Sequence, residues 1–199
     1  MVKVAAALST IVIVSATTMS EGEEHHRPDF GDLLQAIATG DDVGLVRDSG
    51  EPVTRAFLDE CRKDVGANHV VLECKDLVSP WHISPVSNTG ERYLFLITEE
   101  GDSVENRWVL EYQGGRFRDV TSTAWRDISI ATISERMIEA TGDVKYTETY
   151  LEQVAHSPYR VEHPSTATAP IIVHTGVPDR TFGTKIGELE WNGTSLELR

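Results

Sequence analysis

Apolar positions near the N-terminus recur at helical spacing and predict three short helices. Residues 30–39 place their apolar side chains on one face of a helix. Asp29 is suited to cap the start of this helix, because its carboxylate can accept from free backbone amides, and Gly40 is suited to follow its end. The same reasoning predicts a second short helix that ends at Gly50 and a third over residues 54–66.

The centre of the chain changes to an alternating pattern and predicts antiparallel strands. Both faces of residues 92–98 are apolar, which is typical of a central strand covered on both sides. The next strand ends at a Gly-Gly pair, a signal for a two-residue hairpin turn. Such a turn would pair Glu111 with Arg118 and Tyr112 with Phe117, and both pairs favour this register.

Residues 78–91 contain two prolines and no hydrophobic period, so they are predicted to form a loop. Trp81 and His82 lie in this segment. A tryptophan on a stiff loop offers contact area at low entropic cost, which makes Trp81 a candidate binding residue with His82 beside it. The alternative is that Trp81 covers the core and His82 is solvated.

The C-terminal third gives a mixed pattern. Residues 128–133 alternate as in a strand, and residues 134–142 favour a short helix. The segment that follows favours a strand first and a helix near residues 151–155. The chain ends in two strands around an Asn-Gly turn, which would place Trp191 opposite Thr194.

These elements predict an α+β fold, in which N-terminal short helices pack on an antiparallel sheet and hairpins follow at the C-terminus. The chain would consist of a signal peptide (residues 1–16), a flexible acidic lead-in (residues 17–28) and one α+β domain (residues 29–199). The weaker pattern over residues 121–170 would allow a subdivision there.

The first residues predict export. Lys3 precedes an apolar run over residues 4–16, which is shorter than the about 20 residues of a membrane span and fits the apolar region of a secretory signal. Small residues at the end of the run place the cleavage site after Ala16. The predicted location is therefore secreted or periplasmic, and the sequence predicts no membrane span.

The charge balance limits the classes of partner. The chain has 18 basic and 32 acidic residues and a formal net charge of −14. Such a protein repels phosphate backbones and anionic lipid, which argues against nucleic-acid binding. A basic protein is the partner that the charge favours.

Two cysteines, Cys61 and Cys74, are the only ones in the chain. Cys61 lies on the apolar face of the third predicted helix, and Cys74 lies on the apolar face of a strand predicted over residues 69–77. Disulfides persist in exported proteins. The sequence therefore predicts a Cys61–Cys74 bridge, with two buried reduced thiols as the alternative.

An acidic turn is the second candidate binding segment. Its carboxylates are Glu99, Glu100, Asp102 and Glu105. Oxygen-rich loops can hold calcium, but this spacing matches no calcium-binding motif. The sequence predicts no metal and no cofactor. The turn is retained as a candidate contact for a cationic partner.

Catalytic motifs with fixed spacing are absent from the sequence. The favoured function is accordingly an exported acidic binding protein, with an inhibitory or protective effect on a cationic protein. The alternative is a secreted or periplasmic hydrolase built from dispersed residues. For that alternative, His156, His163 or His174 would have to meet a carboxylate and a nucleophile in space.

Overall fold

The structure is a computed structural model that describes most of the chain after residue 25. The described residues are 26–40, 42–47, 49–66, 68–75, 77, 79–89, 92–100, 105–153, 158–164, 169–175 and 183–199. The predicted signal peptide and nearly all of the acidic lead-in lie outside them.

The described chain is an α+β fold, as the sequence predicts, and its strands form two antiparallel sheets. In chain order the elements are α1 (Phe30–Thr39), α2 (Arg55–Glu60), β1 (Arg62–Val65), β2 (Val70–Glu73), β3 (Trp81–Thr89), β4 (Arg92–Glu100), β5 (Glu105–Gln113), β6 (Arg116–Asp119), α3 (Thr121–Ala124), α4 (Ile130–Thr141), α5 (Val144–Gln153), β7 (Tyr159–Glu162), β8 (Ile171–Thr175), β9 (Lys185–Trp191) and β10 (Leu196–Leu198).

Helix α1 begins and ends where the sequence predicts. The Asp29 carboxylate accepts from the amide of Asp32, whose own side chain accepts from the amide of Asp29, and Gly40 adopts a left-handed conformation with φ of 72°. The predicted second helix is wrong, because the residues around Val46 instead form an isolated bridge to Pro52. Helix α2 is also shorter than predicted, because residues 62–65 form strand β1 instead.

The first sheet has six strands in the order β1-β2-β3-β4-β5-β6, so each strand pairs with its neighbours in sequence. The register of β5 and β6 is as predicted: Glu111 lies opposite Arg118, and Tyr112 opposite Phe117. The aromatic rings of that second pair lie 4.9 Å apart between centroids. Strand β4 is central, as expected from its two apolar faces.

The loop predicted over residues 78–91 is wrong, because most of it is strand β3. This strand pairs along β4 from Trp81 to Thr89, with a register shift between Pro85 and Ser87. Strand β2 pairs with β3 only as far as Ile83. Pro85 therefore lies where β3 has no partner on that side, and a proline is tolerated at such a bulged edge.

The second sheet has four strands in the order β10-β9-β8-β7. Its last hairpin differs from the prediction: Trp191 lies opposite Leu196, because residues 192–195 form a four-residue loop. The Asn192 side chain causes this difference. Its oxygen accepts from the amides of Thr194 and Ser195, each at 2.9 Å, and so closes a wider turn than a two-residue Asn-Gly hairpin.

The segment from residue 128 to residue 153 is more helical than the sequence indicates. The strand predicted over residues 128–133 is wrong, because α4 begins at Ile130 with Ser129 as its N-cap. The strand predicted after residue 143 is also wrong, since α5 begins at Val144. The end of α4 at Gly142, in a left-handed conformation, agrees with the prediction.

Apolar residues on the two faces of the first sheet belong to two separate cores. One core packs α1 and α2 against one face, to which β4 contributes Phe95 and Ile97. The other core contains Leu94 and Leu96 of β4 together with residues of α4, α5 and the second sheet. The first sheet therefore lies between the N-terminal helices and the second sheet.

The predicted disulfide is present. Cys61, directly after α2, is bonded to Cys74, directly after β2, with their Cα atoms 4.3 Å apart. The bridge joins the end of the helix to the sheet beside the first core. No other cysteine exists in the chain.

Candidate functional site: a histidine cluster and an acidic cleft

Strands β3 and β4 carry polar side chains on the face that meets the second sheet. His82 and Ser84 are two residues apart on β3 and therefore share this face. Thr98 of β4 lies opposite His82 in the register. Ser84 and Thr98 are both fully buried. Polar groups in such a position need hydrogen-bond partners, and a residue of the second sheet supplies them.

That residue is His163, which follows β7. Its Nδ1 lies 2.6 Å from the Ser84 hydroxyl oxygen, and its Nε2 lies 2.8 Å from the Thr98 hydroxyl oxygen. A neutral imidazole satisfies both contacts, because one ring nitrogen accepts from a hydroxyl while the other donates to a hydroxyl oxygen. His163 thus connects the second sheet to two strands of the first.

His69, just before β2, completes a cluster of three imidazoles. Its Nε2 lies 3.1 Å from Nδ1 of His82. The ring centroids of His69, His82 and His163 lie 5.2 to 5.6 Å apart, and the ring planes are within 29° of parallel. We call these three residues the histidine cluster.

Burial lowers the pKa of every imidazole in the histidine cluster. It lowers the pKa of His82 to about 4, with a further contribution from the nearby His69. The pKa of His163 falls well below its ordinary value, first through burial and then through the neighbouring His82 and His69. The pKa of His69 is lowered by burial, which the charge of Asp64 partly opposes. All three rings are therefore neutral near pH 7.

The contact between Ser84 and His163 does not form a nucleophile–base pair that can reach a substrate. Ser84 has no exposed surface. The second nitrogen of His163 meets the Thr98 hydroxyl, where a catalytic histidine would carry an orienting carboxylate. The geometry suits a structural connection between the sheets.

The other histidines of the hydrolase hypothesis lie elsewhere. His174 of β8 is bonded through Nε2 to Glu162 at 2.7 Å. Glu162 is next to Val161 on β7, and neighbouring residues of a strand point to opposite faces. Because Val161 belongs to the second core, the Glu162–His174 pair lies on the face of the second sheet away from that core. His156 lies outside the described residues. In the described part of the chain, no group of three or more His, Cys, Asp or Glu side chains is arranged to hold a metal ion.

A cleft of about 830 Å³ lies between α1 and the β5–β6 hairpin. It combines carboxylates with aromatic rings and one arginine. Its lining includes Asp32, Asp42, Tyr112, Arg116 and Phe117. We call it the acidic cleft. It is formed because α1 packs across the sheet beside the end of the hairpin, where the backbone amide of Asp119 donates to the carbonyl oxygen of Asp42.

The two carboxylates of the acidic cleft differ in their surroundings. The backbone amide of Asp29 donates to the Asp32 carboxylate and is the main cause that lowers its pKa, so Asp32 is charged at neutral pH. His26 also contacts Asp32, at 2.8 Å. Asp42 is exposed and, among the described residues, has no ion-pair partner.

The candidate binding residues of β3 do not lie on an exposed loop. Trp81 is fully buried in the first core, where its ring contacts Trp108 at 5.2 Å between centroids, and so it has no surface to offer a ligand. His82 is partly buried in the histidine cluster, whereas the alternative interpretation placed Trp81 against the core and expected a solvated His82.

The acidic turn is described only in part. Glu99 is 3 % exposed and accepts a hydrogen bond from Asn106 at 2.9 Å, so it does not lie on the surface. The backbones of Glu100 and Glu105 pair at the ends of β4 and β5. Asp102 lies outside the described residues.

Sequence reasoning did not group the residues of either site. His69, Ser84 and Thr98 were not singled out, because each alone is an ordinary strand residue. The alternation of His82 and Ser84 on one strand face was the available signal, but the prolines led to a loop prediction. Neither Asp32 nor Asp42 was singled out as a binding residue.

Comparison with known proteins gives no match to this chain: no protein-family model, curated protein or solved structure is similar to it at a significant level. None of the helices in the described ranges has the length and apolar character that a membrane span requires.

Proposed function

We propose that this chain is an exported, non-catalytic binding protein that takes a cationic side chain of a basic partner protein in the acidic cleft. The observation that carries the proposal is the composition of that cleft, in which Asp32 and Asp42 lie with the rings of Tyr112 and Phe117. Carboxylates and aromatic faces both attract lysine and arginine side chains.

The charge of the whole chain supports the same class of partner. A formal net charge of −14 produces a negative potential that raises the encounter rate with cationic proteins. A basic partner would follow this field to the cleft. The Cys61–Cys74 bridge supports the export part of the proposal, since disulfides persist mainly in exported proteins.

Arg116 gives the proposal a direct internal test. It lines the acidic cleft and carries the opposite charge to Asp32 and Asp42. It would repel an incoming cation and attract an anion. Replacing Arg116 should therefore strengthen binding of a cationic ligand and weaken binding of an anionic one.

The experiment measures binding of an array of short peptides that contain lysine or arginine, with glutamate-substituted peptides as negative controls. Lysine or arginine peptides should bind, and the double variant Asp32→Asn/Asp42→Asn should weaken them by about tenfold or more, which corresponds to ~1.4 kcal/mol. Arg116→Ala should have the opposite effect.

The matched control removes two negative charges, as the cleft variant does, but from residues outside the acidic cleft. Glu135→Gln/Glu148→Gln removes two exposed carboxylates from α4 and α5, outside the acidic cleft. It should alter binding by less than about twofold, because α4 and α5 pack on the other face of the first sheet from α1 and solvent screens exposed charges. Equal losses in both double variants, or no preference for cationic peptides, would refute the cleft as the binding site.

The hydrolase alternative has less support. It requires a nucleophile, a histidine and a carboxylate that share an accessible pocket. Among the described residues, His163 meets a buried serine without a carboxylate, and His174 meets a carboxylate on another face. A hydrolase screen with ester and peptide substrates separates the two hypotheses, since the binding protein should show no turnover.

A further inference from the structure

The histidine cluster lies where the two sheets meet, whereas the acidic cleft lies on the other face of the first sheet. His69 and His82 belong to the first sheet, and His163 follows β7 of the second. The two hydrogen bonds of His163 to Ser84 and Thr98 cross from one sheet to the other. A change in the protonation of these rings therefore affects the contact between the two sheets.

The contact between His69 and His82 depends on a neutral ring. At 3.1 Å between Nε2 and Nδ1, one nitrogen must donate and the other must accept. Two protonated imidazoles have no acceptor nitrogen and repel each other. Protonation of all three rings would bring together positive charges on rings whose centroids are within 5.6 Å of one another, and these charges would repel each other.

Among the described residues, few groups compensate for such positive charge. Asp64 of β1 is the acid that acts on His69. Within the part of β3 and β4 that the structure describes, the hydroxyl groups of Ser84 and Thr98 bond to the cluster, and Arg107 of β5, paired with Thr98 in the register, carries a positive charge. On the second sheet, Glu162 is directed to the other face, where it binds His174.

We propose that the histidine cluster is an acid-sensitive connection, which holds the second sheet to the first when its rings are neutral and loosens that contact when they take up protons. The proposal does not rest on the proposed function. In the expected transition, repulsion among the protonated rings and the cost of burying their charge move His163 away from Ser84 and Thr98. The first core, on the other face of the first sheet, stays intact.

The direction of the pKa changes agrees with this proposal. All three folded-state pKa values lie below the ordinary imidazole value of about 6.5. As the pH falls below that value, the separated or unfolded state binds protons that the closed state does not. The closed contact is therefore favoured above about pH 6.5 and progressively lost toward pH 4.

The test uses the full chain and combines two NMR measurements between pH 7.5 and pH 4.5. Imidazole proton shifts report the pKa of each histidine, and amide hydrogen exchange, corrected for its intrinsic pH dependence, reports the opening of each sheet. Exchange of β7 and β8 amides should accelerate by about tenfold or more between pH 7 and pH 5, since one pKa unit is a tenfold change in equilibrium. Exchange in β4 and β5 should change less.

Variants separate the cluster from a general acid effect. His69→Gln/His82→Gln should reduce the pH response of β7 and β8, because it removes two of the three titrating rings and their repulsion of His163, whereas His174→Gln, on the opposite face of the second sheet, should retain the full response. Ordinary pKa values for all three cluster histidines, or the same acceleration in the double variant, would overturn the proposal. If the double variant does not fold, the wild-type titration and exchange, together with His69→Gln alone, decide the question.

Discussion

The carboxylate of Glu111, which is fully buried in β5, is bound by the guanidinium of Arg118, its register neighbour on β6. Arg92 of β4 binds the same carboxylate, with its Nε 2.6 Å from Oε1. One acid thus holds two arginines across three adjacent strands. The arginine side chains are 33 % and 56 % exposed for Arg92 and Arg118, so only the acid is fully removed from water.

Replacing this acid should destabilise the first sheet. Glu111→Gln leaves two arginines facing a buried amide, and the expected loss in free energy of unfolding is about 2–4 kcal/mol. Chemical denaturation measures it. The control is Glu73→Gln, which removes an exposed cross-strand pair with Arg62 and should cost less than about 1 kcal/mol. Similar losses in the two variants would contradict the special role of Glu111.

Reduction of the Cys61–Cys74 bridge should lower the melting temperature. The bridge closes a segment with a sequence separation of 13, and constraint of the unfolded chain by such a loop is worth about 3 kcal/mol. Thermal unfolding of the oxidised protein, the reduced protein and Cys61→Ala/Cys74→Ala checks this. The reduced protein and the double variant should have the same melting temperature, which should be lower than that of the oxidised protein. Identical melting temperatures for all three would show that the bridge contributes no stability.

The global free energy of unfolding should depend on pH in the acid range. Because the folded pKa of His82 is about 4, the unfolded chain takes up a proton at this residue below its ordinary pKa while the folded chain does not. Stability from this residue is fully present above about pH 6.5 and falls by up to about 3 kcal/mol toward pH 4. Urea unfolding at a series of pH values measures the slope. His82→Gln should reduce this slope, to which His69 and His163 also contribute, and an unchanged slope would show that other groups control the acid response.

Gly187 of β9 should tolerate no side chain. A Cβ atom there would lie 2.7 Å from the carbonyl oxygen of Arg199 and 2.7 Å from Cδ1 of Leu198. Gly187→Ala should therefore displace β10 and cost about 1–3 kcal/mol by chemical denaturation. Gly44→Ala is the control, because nothing lies within 4 Å of its Cβ position. Equal stability of the two variants would contradict the close approach of these strands.

Local patterns predicted the parts of the fold that local interactions determine. The caps at Asp29 and Gly40 and the pairing of Glu111 with Arg118 were readable because each involves neighbours in sequence or across one tight turn. The Cys61–Cys74 bridge was readable because the chain has only two cysteines. These residues account for α1, for the β5–β6 hairpin and for the link between α2 and the first sheet.

Errors arose where a local signal was outweighed by tertiary contacts. Prolines suggested a loop in what is strand β3, but Pro85 lies beyond the part of β3 that pairs with β2 and therefore removes no hydrogen bond on that side. The Asn-Gly signal suggested a two-residue turn, but the Asn192 side chain binds two amides and widens the loop.

The candidate sites were hidden for a different reason. His69 and His82 meet through the pairing of β2 with β3, and the packing of the second sheet on the first brings His163 to them. The acidic cleft likewise depends on how α1 lies beside the β5–β6 hairpin. No spacing pattern within one segment indicates either arrangement. The net charge of the sequence therefore indicated the class of partner, but no pattern indicated which surface would bind it.

The outer strands of the first sheet have a consequence for how this protein behaves in concentrated solution. Strand β1 has four residues, all exposed, and three of them are charged. Strand β6, at the other edge, is equally short and carries Arg116, Arg118 and Asp119. Short, charged outer strands are poor templates for another chain to extend the sheet. Crowded copies of this protein should accordingly resist fibrillar self-assembly through the first sheet.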